Sequence, residues 1–192
     1  MPIEKNKPAR EISRLISRLQ HHTFRTASRQ TKMSASRYMA LQYYGCANGY
    51  SRTVSALALY QGTAVSSASV LTNKLVKEGY LLRQIPESDR RTVKLHVSAQ
   101  GKRILRADPF HEMTDAVESL PDRIQQVLLS GLAHIVARML ERLGLRQFGI
   151  CKDCRYFKNG KGRTCEFMNV VIPSKDIEML CVSFQTDVRN PR

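Results

Sequence analysis

The chain has 192 residues, 42% of them hydrophobic, which is enough for one domain of ordinary size with a small additional module. Its 31 Lys and Arg residues against 16 Asp and Glu give a formal charge of +15, and this excess predicts a polyanionic partner. The sequence has no apolar run long enough to span a bilayer, and its first residues lack the apolar stretch of a secretory signal. We therefore expect a cytoplasmic protein with no membrane partner.

The positive charge is concentrated in the first half of the chain. Residues 1–85 contain thirteen Lys or Arg residues and only three acids. Such an excess attracts nucleic acid and makes binding depend on salt concentration. A basic soluble protein without such a partner is the alternative interpretation. A membrane-surface role is disfavoured because no predicted helix pairs a basic face with one rich in Trp or Phe.

Hydrophobic periodicity predicts four helices before residue 79, at about 8–30, 35–47, 53–60 and 64–78. The first helix carries apolar residues at i, i+3, i+4 and i+7, starting at Ile12. The second is expected to end in a glycine-broken turn at 45–50. Gly62 closes the third helix and Gly79 the fourth, since glycine readily adopts the left-handed conformation of a helix end.

Two short extended runs follow, Tyr80–Gln84 and Thr92–Val97, and the polar loop between them contains turn-forming residues. The alternation of apolar and polar residues in the second run is typical of a half-buried strand. Ser98 is then expected to cap a long helix that Pro109 should kink or interrupt.

A last helix is predicted at about 119–145, with Ser119 and Asp122 both serving its N-terminus. Its apolar stripe is longer than a small helical domain needs. Burying one leucine contributes roughly 1.5–3 kcal/mol, so part of this stripe is expected to hold a second subunit.

The predicted elements follow the order of a winged helix-turn-helix. This order is a helix, a three-residue turn, a second helix and a two-stranded hairpin with a basic tip. We expect a mainly α fold with a small β wing, long dimerisation helices and a small C-terminal four-cysteine module, divided into residues 1–145 and 146–192. The second helix of the pair would enter the major groove of DNA, so its first turns should carry short polar side chains. Serines that only solvate a surface helix are the alternative. The candidate DNA contacts are Ser66, Ser67, Ser69, Thr72, Asn73 and Lys74, together with Lys94 on the hairpin.

The stretch Val65–Gly101 carries the clearest motif, an Asp-x-Arg in the hairpin tip followed by an alternating strand and a Ser-led helix. Its matching residues are Asp89, Arg91, Leu95, Val97, Ser98 and Gly101. Here the chain resembles the multiple antibiotic resistance regulator (MarR) family of bacterial transcription factors, over residues 8–145. It departs from the family's pattern at 43–50 and again at 146–192, where the family usually ends.

The resemblance implies a homodimer, built from the first and last two helices, that reads a pseudo-palindrome in double-stranded DNA. It also implies that Asp89 orients a wing arginine and that Arg90 or Arg91 enters the minor groove. An exposed ion pair between Asp89 and Arg91, worth less than about 1 kcal/mol, is the alternative. We accordingly expect a transcriptional regulator that acts as a repressor, and not an enzyme.

Four of the five cysteines lie in the last quarter of the chain, as Cys151-x2-Cys154-x10-Cys165-x15-Cys181. In a reducing compartment, clustered thiols indicate metal or redox chemistry more than structural disulfides. Cys151 and Cys154 can place two thiolates on one ion, and Cys165 and Cys181 would complete a tetrahedral or cubane set. The irregular spacing favours an iron–sulfur cluster over a zinc ion. A metal-free thiol switch or inert cysteines remain the third alternative.

Basic residues around these cysteines would either offset the charge of bound thiolates or form a second phosphate-contacting patch. They are Lys152, Arg155, Lys158, Lys161 and Arg163. Because the module follows the last helix directly, we expect it to pack on that helix and so to alter the spacing of the two recognition helices. A redox protein that uses the cysteines catalytically is disfavoured, because the nearby acids form no recognisable pair. Cys46 is expected to be a small core residue, with a thiol of no structural role as the alternative.

Overall fold

The computed structural model describes residues 7–85, 93–108, 110–160 and 162–186. Within these ranges the chain forms seven α-helices and seven short strands. The helices are α1 (Lys7–Thr31), α2 (Ala35–Cys46), α3 (Val54–Gln61), α4 (Val65–Lys77), α5 (Ala99–Arg106), α6 (His111–Glu118) and α7 (Asp122–Arg142). The strands are β1 (Leu81–Gln84), β2 (Lys94–Val97), β3 (Gly149–Ile150), β4 (Phe157–Asn159), β5 (Arg163–Cys165), β6 (Val170–Val171) and β7 (Leu180–Cys181).

The strands form three small antiparallel sheets. β1 pairs with β2 in the register Leu81 to Val97. In the C-terminal part, β3 pairs with β7, and β5 lies between β4 and β6. The mainly helical fold with a hairpin after α4 therefore agrees with the sequence prediction.

The hydrophobic core lies where α2, α3 and α4 pack against the hairpin. Its largest fully buried side chains include Tyr38, Leu41, Tyr43, Tyr44, Leu57, Leu75, Leu81 and Leu95. Gly62 ends α3 with φ of 62°, a left-handed conformation that an L side chain adopts only with strain, and the next helix begins three residues later. This tight turn fixes α4 against α3.

Helix boundaries follow the predicted capping residues in most places. The Ser98 side chain accepts a hydrogen bond from the Gly101 backbone nitrogen at 3.0 Å, which caps α5 as predicted. The predicted break after α5 is present, although Pro109 itself lies outside the described residues. Two details differ. α2 continues through Gly45 to Cys46, and the Ser119 hydroxyl donates to the Ala116 carbonyl at 2.7 Å, so it serves the end of α6 instead of the start of α7.

Helices α1 and α7 present apolar faces to solvent. No residue of α7 is buried, and Ile124, Leu128, Leu132 and Ile135 are each more than a third exposed. Ile12, Leu15 and Leu19 of α1 are about half exposed. Within the described ranges no single helix is both long and apolar enough to cross a membrane. The one helix pair that meets the length and composition criteria together, α3 with α4, is bent by 118°.

Candidate nucleic-acid interface and cysteine module

The first turns of α4 display a polar surface beside the hairpin. Ser66, Ser67, Asn73 and Lys74 are exposed, and Ser69 is half-buried. The opposite face of the same helix packs into the core through buried side chains. The fold therefore brings these five predicted residues onto one outward surface of a rigid helix.

Thr72 does not belong to that surface, which corrects the prediction that it contacts DNA. Its side chain is 1% exposed and its hydroxyl donates to the Ala68 carbonyl at 2.8 Å. The Tyr44 hydroxyl lies 2.8 Å from the Thr72 hydroxyl oxygen. A buried hydroxyl is costly unless it is hydrogen-bonded, and Thr72 meets that condition inside the protein. It holds α4 against α2.

Two further contacts fix the orientation of α4. At its C-terminal end, the Arg37 guanidinium of α2 donates to both carboxylate oxygens of Glu78, at 2.7 and 2.8 Å. On its exposed side, Arg83 of β1 donates to the Asn73 side chain. Sequence reasoning overlooked Arg83, although an exposed cation in a predicted wing strand is a recognisable signal. The helix and the wing are thus joined by side chains as well as by packing.

The wing strand β2 places Lys94 at the edge of this surface. Its ammonium donates to the Tyr50 carbonyl at 3.1 Å. The wing-tip residues Asp89, Arg90 and Arg91, which the sequence assigns to DNA contact, lie outside the described residues.

Helices α1, α6 and α7 form an open apolar groove of about 790 Å³. It contains Ile16 and Leu19 of α1, Val117 of α6 and Leu128 and Leu132 of α7. An apolar surface of this kind is unusual on a monomeric soluble protein and indicates an interaction site.

The residues after α7 form a small module with its own core. Cys151, Cys181 and Ile172 are buried in it, and Cys165 and Phe157 pack against them. The Cys151 and Cys181 side chains hydrogen-bond to each other. This bond, above all, lowers the pKa of Cys181 and raises the pKa of Cys151, because it stabilises one thiolate at the expense of the other.

The four predicted ligands are only partly brought together. Cys154 follows Cys151 in a tight turn, with its backbone nitrogen 3.1 Å from the Cys151 carbonyl oxygen. Three of the four sulfurs belong to one small core, and thiolates suit both zinc and cluster iron. In the described part of the chain, however, no three His, Cys, Asp or Glu side chains converge closely enough to hold a metal ion. The cysteine thiolates are suitable ligands for zinc or an iron–sulfur cluster. Their positions, however, are those of one close thiol pair with the other two cysteines nearby.

The module is anchored on the loop between α2 and α3, residues 47–52, which we call the docking loop. The Asn48 backbone nitrogen donates to the Leu180 carbonyl at 2.9 Å, and the Val182 backbone nitrogen donates to the Ser51 hydroxyl oxygen at 2.9 Å. The Asn48 side-chain nitrogen lies 3.4 Å from the Cys151 sulfur. The sequence predicted docking on the last helix, but these bonds connect the module to the helix-turn-helix.

The docking loop also supports the wing. The Leu95 backbone nitrogen of β2 donates to the Arg52 carbonyl at 2.9 Å, and Lys94 donates to the Tyr50 carbonyl. Thr53, the next residue, caps α3 through its hydroxyl oxygen, which accepts from the Ala56 nitrogen at 3.2 Å. A single short segment therefore contacts the cysteine module, the wing and the first helix of the helix-turn-helix.

Cys46 is exposed, which corrects its predicted place in the core. It lines an open cleft of about 770 Å³ between the helices and the module. Tyr60 and Phe148 lie in the same cleft, with their ring centroids 5.1 Å apart. The apolar ring of Phe148 thus joins the start of the module to the helical body.

No protein-family model and no curated protein matches the chain. Solved structures do. Sco3205 from Streptomyces coelicolor, a MarR family transcriptional regulator crystallised with DNA, has a TM-score of 0.57 at 23% identity, covering 73% of this chain and 90% of its own. CouR from Rhodococcus jostii RHA1, bound to p-coumaroyl-CoA, gives 0.55 at 18% identity, with coverages of 68% and 92%. A MarR transcriptional regulator from Methanosarcina mazei Go1 gives 0.55 at 21%, with coverages of 69% and 98%. The likeness establishes that this chain has the winged helix fold of MarR family regulators.

Proposed function

We propose that this chain is a sequence-specific DNA-binding transcriptional regulator that acts as a homodimer and is modulated by its cysteine module. The observation that carries the proposal is the exposed polar start of α4, a helix that Arg37 joins to α2 and that Arg83 joins to the wing. A helix with short polar side chains can approach base edges in the major groove, and a neighbouring wing adds backbone contacts. We infer a repressor, since a dimer seated on an operator excludes polymerase from overlapping DNA.

Selection of bound duplexes from a random pool, followed by footprinting, tests the DNA-binding role. In the enriched duplex, Ser67→Glu should abolish the footprint by placing a carboxylate against the DNA. Lys74→Ala should weaken binding to all sequences and lower the salt slope by about 0.9 for each phosphate that is no longer neutralised. Ser13→Ala, an exposed change on α1, is the matched control. The proposal is rejected if no sequence is enriched from the pool and if the protein does not retard any duplex in gel electrophoresis at low salt.

The homodimer is supported by the apolar groove of α1, α6 and α7. Covering it would remove Leu19, Leu128 and Leu132 from water, each worth roughly 1.5–3 kcal/mol when fully buried. Leu132→Glu should therefore give monomers in sedimentation equilibrium, while Leu82→Glu, an exposed leucine on β1, should not. Wild-type protein that sediments as a monomer at micromolar concentration contradicts this part of the proposal.

For the module we propose that Cys151, Cys154, Cys165 and Cys181 hold an iron–sulfur cluster or a zinc ion. Support comes from the donor set and from the shared core of three of these residues. When bound, such a group would supply a stabilising crosslink, and in the cluster case sensitivity to oxidants. Metal and sulfide analysis with a visible spectrum of anaerobically prepared protein separates the cases. Colourless, metal-free protein refutes both.

A second candidate for the module is a thiol switch, favoured by the hydrogen bond between Cys151 and Cys181. Oxidation by a peroxide would join the two sulfurs, with release of two molecules of water for each hydrogen peroxide consumed. Peptide mapping after peroxide treatment should then recover the Cys151–Cys181 disulfide. A random mixture of disulfides would contradict the proposal that Cys151 and Cys181 form a specific pair.

We propose that the module acts on DNA binding through the docking loop. Asn48 contacts Cys151, Ser51 contacts Val182, and Arg52 contacts the wing strand, so a shift of the module reaches the wing within one loop. Replacing Cys154 and Cys165 by serine should remove the response of DNA affinity to oxidant, chelator and reductant. A variant that responds as the wild type does excludes this route.

A further inference from the structure

The module brings its own basic side chains to the base of the wing. The Arg163 guanidinium donates to the Ser174 hydroxyl oxygen at 2.8 Å, and Lys175 follows directly. The next residue, Asp176, is 4% exposed and accepts a hydrogen bond from the Gly49 nitrogen at 3.1 Å. Lys175 is therefore held at the docking loop while its side chain stays exposed.

The docking loop and the wing contribute cations to the same place. Arg52 donates through its Nε to the Ala47 carbonyl at 2.9 Å, and no residue in the described ranges accepts a hydrogen bond from its terminal nitrogens. Lys94 lies on the adjacent strand. The pKa of His96 is lowered by burial and then by the positive charges of Arg52, Lys175 and Lys94, which agrees with their placement around one strand.

In the described part of the module, the exposed acids Glu166 and Glu178 pair with lysines of the module itself. Glu178 forms an ion pair with Lys152 at 2.7 Å, and Glu166 forms one with Lys158 at 3.4 Å. The carboxylate of Asp176 faces inward. Among the residues that the structure describes, no ion pair engages Arg163, which is exposed, so its charge is directed to solvent.

We propose that Arg52, Lys94, Arg163 and Lys175 form a cationic strip that binds backbone phosphates of the duplex held by α4 and the wing. The inference rests on the proposed DNA-binding function and deepens it, because it makes the cysteine module part of the interface. Cations that reach phosphates add affinity without reading sequence, since they neutralise charge and release counterions. The module thus contributes to DNA binding directly, in addition to its contact with the docking loop.

Salt titration of the double variant Arg163→Ala/Lys175→Ala tests the strip. Fluorescence anisotropy with a labelled duplex enriched from the random pool gives the slope of log affinity against log potassium chloride concentration. The slope should fall by about 0.9 for each phosphate that the variant leaves without a cation. The conservative variant Arg163→Lys/Lys175→Arg should keep the wild-type slope.

The matched control is Arg123→Ala/Arg142→Ala, which removes the same charge from exposed positions of α7 and should leave the slope unchanged. A strip variant with native circular dichroism and the wild-type slope overturns the inference. Equal decreases in the strip variant and the α7 control overturn it too, because they reflect net charge alone. Failure of the wild type to bind any duplex instead rejects the proposed function on which the strip depends.

Discussion

The Ser51→Ala substitution should loosen the cysteine module while leaving the helical body intact. Ser51 is fully buried, and its hydroxyl oxygen accepts a hydrogen bond from the Val182 nitrogen at 2.9 Å. The same hydroxyl also hydrogen-bonds the Cys181 sulfur. Removing one buried partner costs about 1–3 kcal/mol, because the group left behind has no hydrogen bond and stays out of water.

A local destabilisation of about 2 kcal/mol raises the equilibrium constant for opening of the module roughly 30-fold, since each 1.4 kcal/mol is a factor of ten. Hydrogen exchange measured by mass spectrometry should show this increase in peptides covering 149–165 and 180–186. Peptides from α2 and α4 should exchange at the wild-type rate. Ser13→Ala, which removes an exposed hydroxyl bonded to the Ala9 carbonyl, should change neither region. Unchanged exchange in the module, or an equal rise throughout the chain, would refute the docking argument.

Three further predictions concern the helix-turn-helix and the wing. Thr72→Val removes the hydroxyl that contacts Tyr44 and should lower the free energy of unfolding in urea by about 1–2 kcal/mol. The folded variant should keep its DNA affinity. Weaker DNA binding at unchanged stability would contradict this prediction. Gly101→Ala places a Cβ against the Tyr80 carbonyl oxygen and should lower the free energy of unfolding by about 1–3 kcal/mol, because the site is overpacked. A higher melting temperature than that of the wild type would contradict this prediction. His96 should titrate below 6.5 by NMR, since burial and nearby cations disfavour its protonated form. Its stabilising contribution is then complete above pH 6.5 and is lost as the pH falls from 6.5 toward the lower folded pKa; a folded pKa at or above 6.5 would contradict the assignment.

Local patterns were sufficient to predict most elements of the helical body. The spacing of apolar residues predicted the helices, and Gly62 and Ser98 end and begin elements through local capping, although the Ser98 hydroxyl also donates to the distant Gly79 carbonyl. The same local reasoning failed for Thr72 and Cys46. A small polar residue is equally compatible with a buried hydroxyl pair and a DNA-facing surface, and a lone cysteine carries no directional pattern.

The docking of the module could not be predicted from the sequence. Asn48 and Cys151 are separated by 103 positions, and the contact between them leaves no periodicity in either segment. The one local signal was the departure of residues 43–50 from the pattern of the resembling family. Residues 47–50 of that segment belong to the docking loop.

The position of Phe148 bears on how this polypeptide can be divided. Cutting the chain after Leu145, at the boundary predicted from the sequence, would remove an aromatic ring that packs edge-on against both Tyr43 and Tyr60. It would also leave the amides of Asn48 and Gly49 to be hydrated. A shortened version would therefore lack contacts that support the wing, and reporters or affinity tags are better placed ahead of the first helix than substituted for the tail.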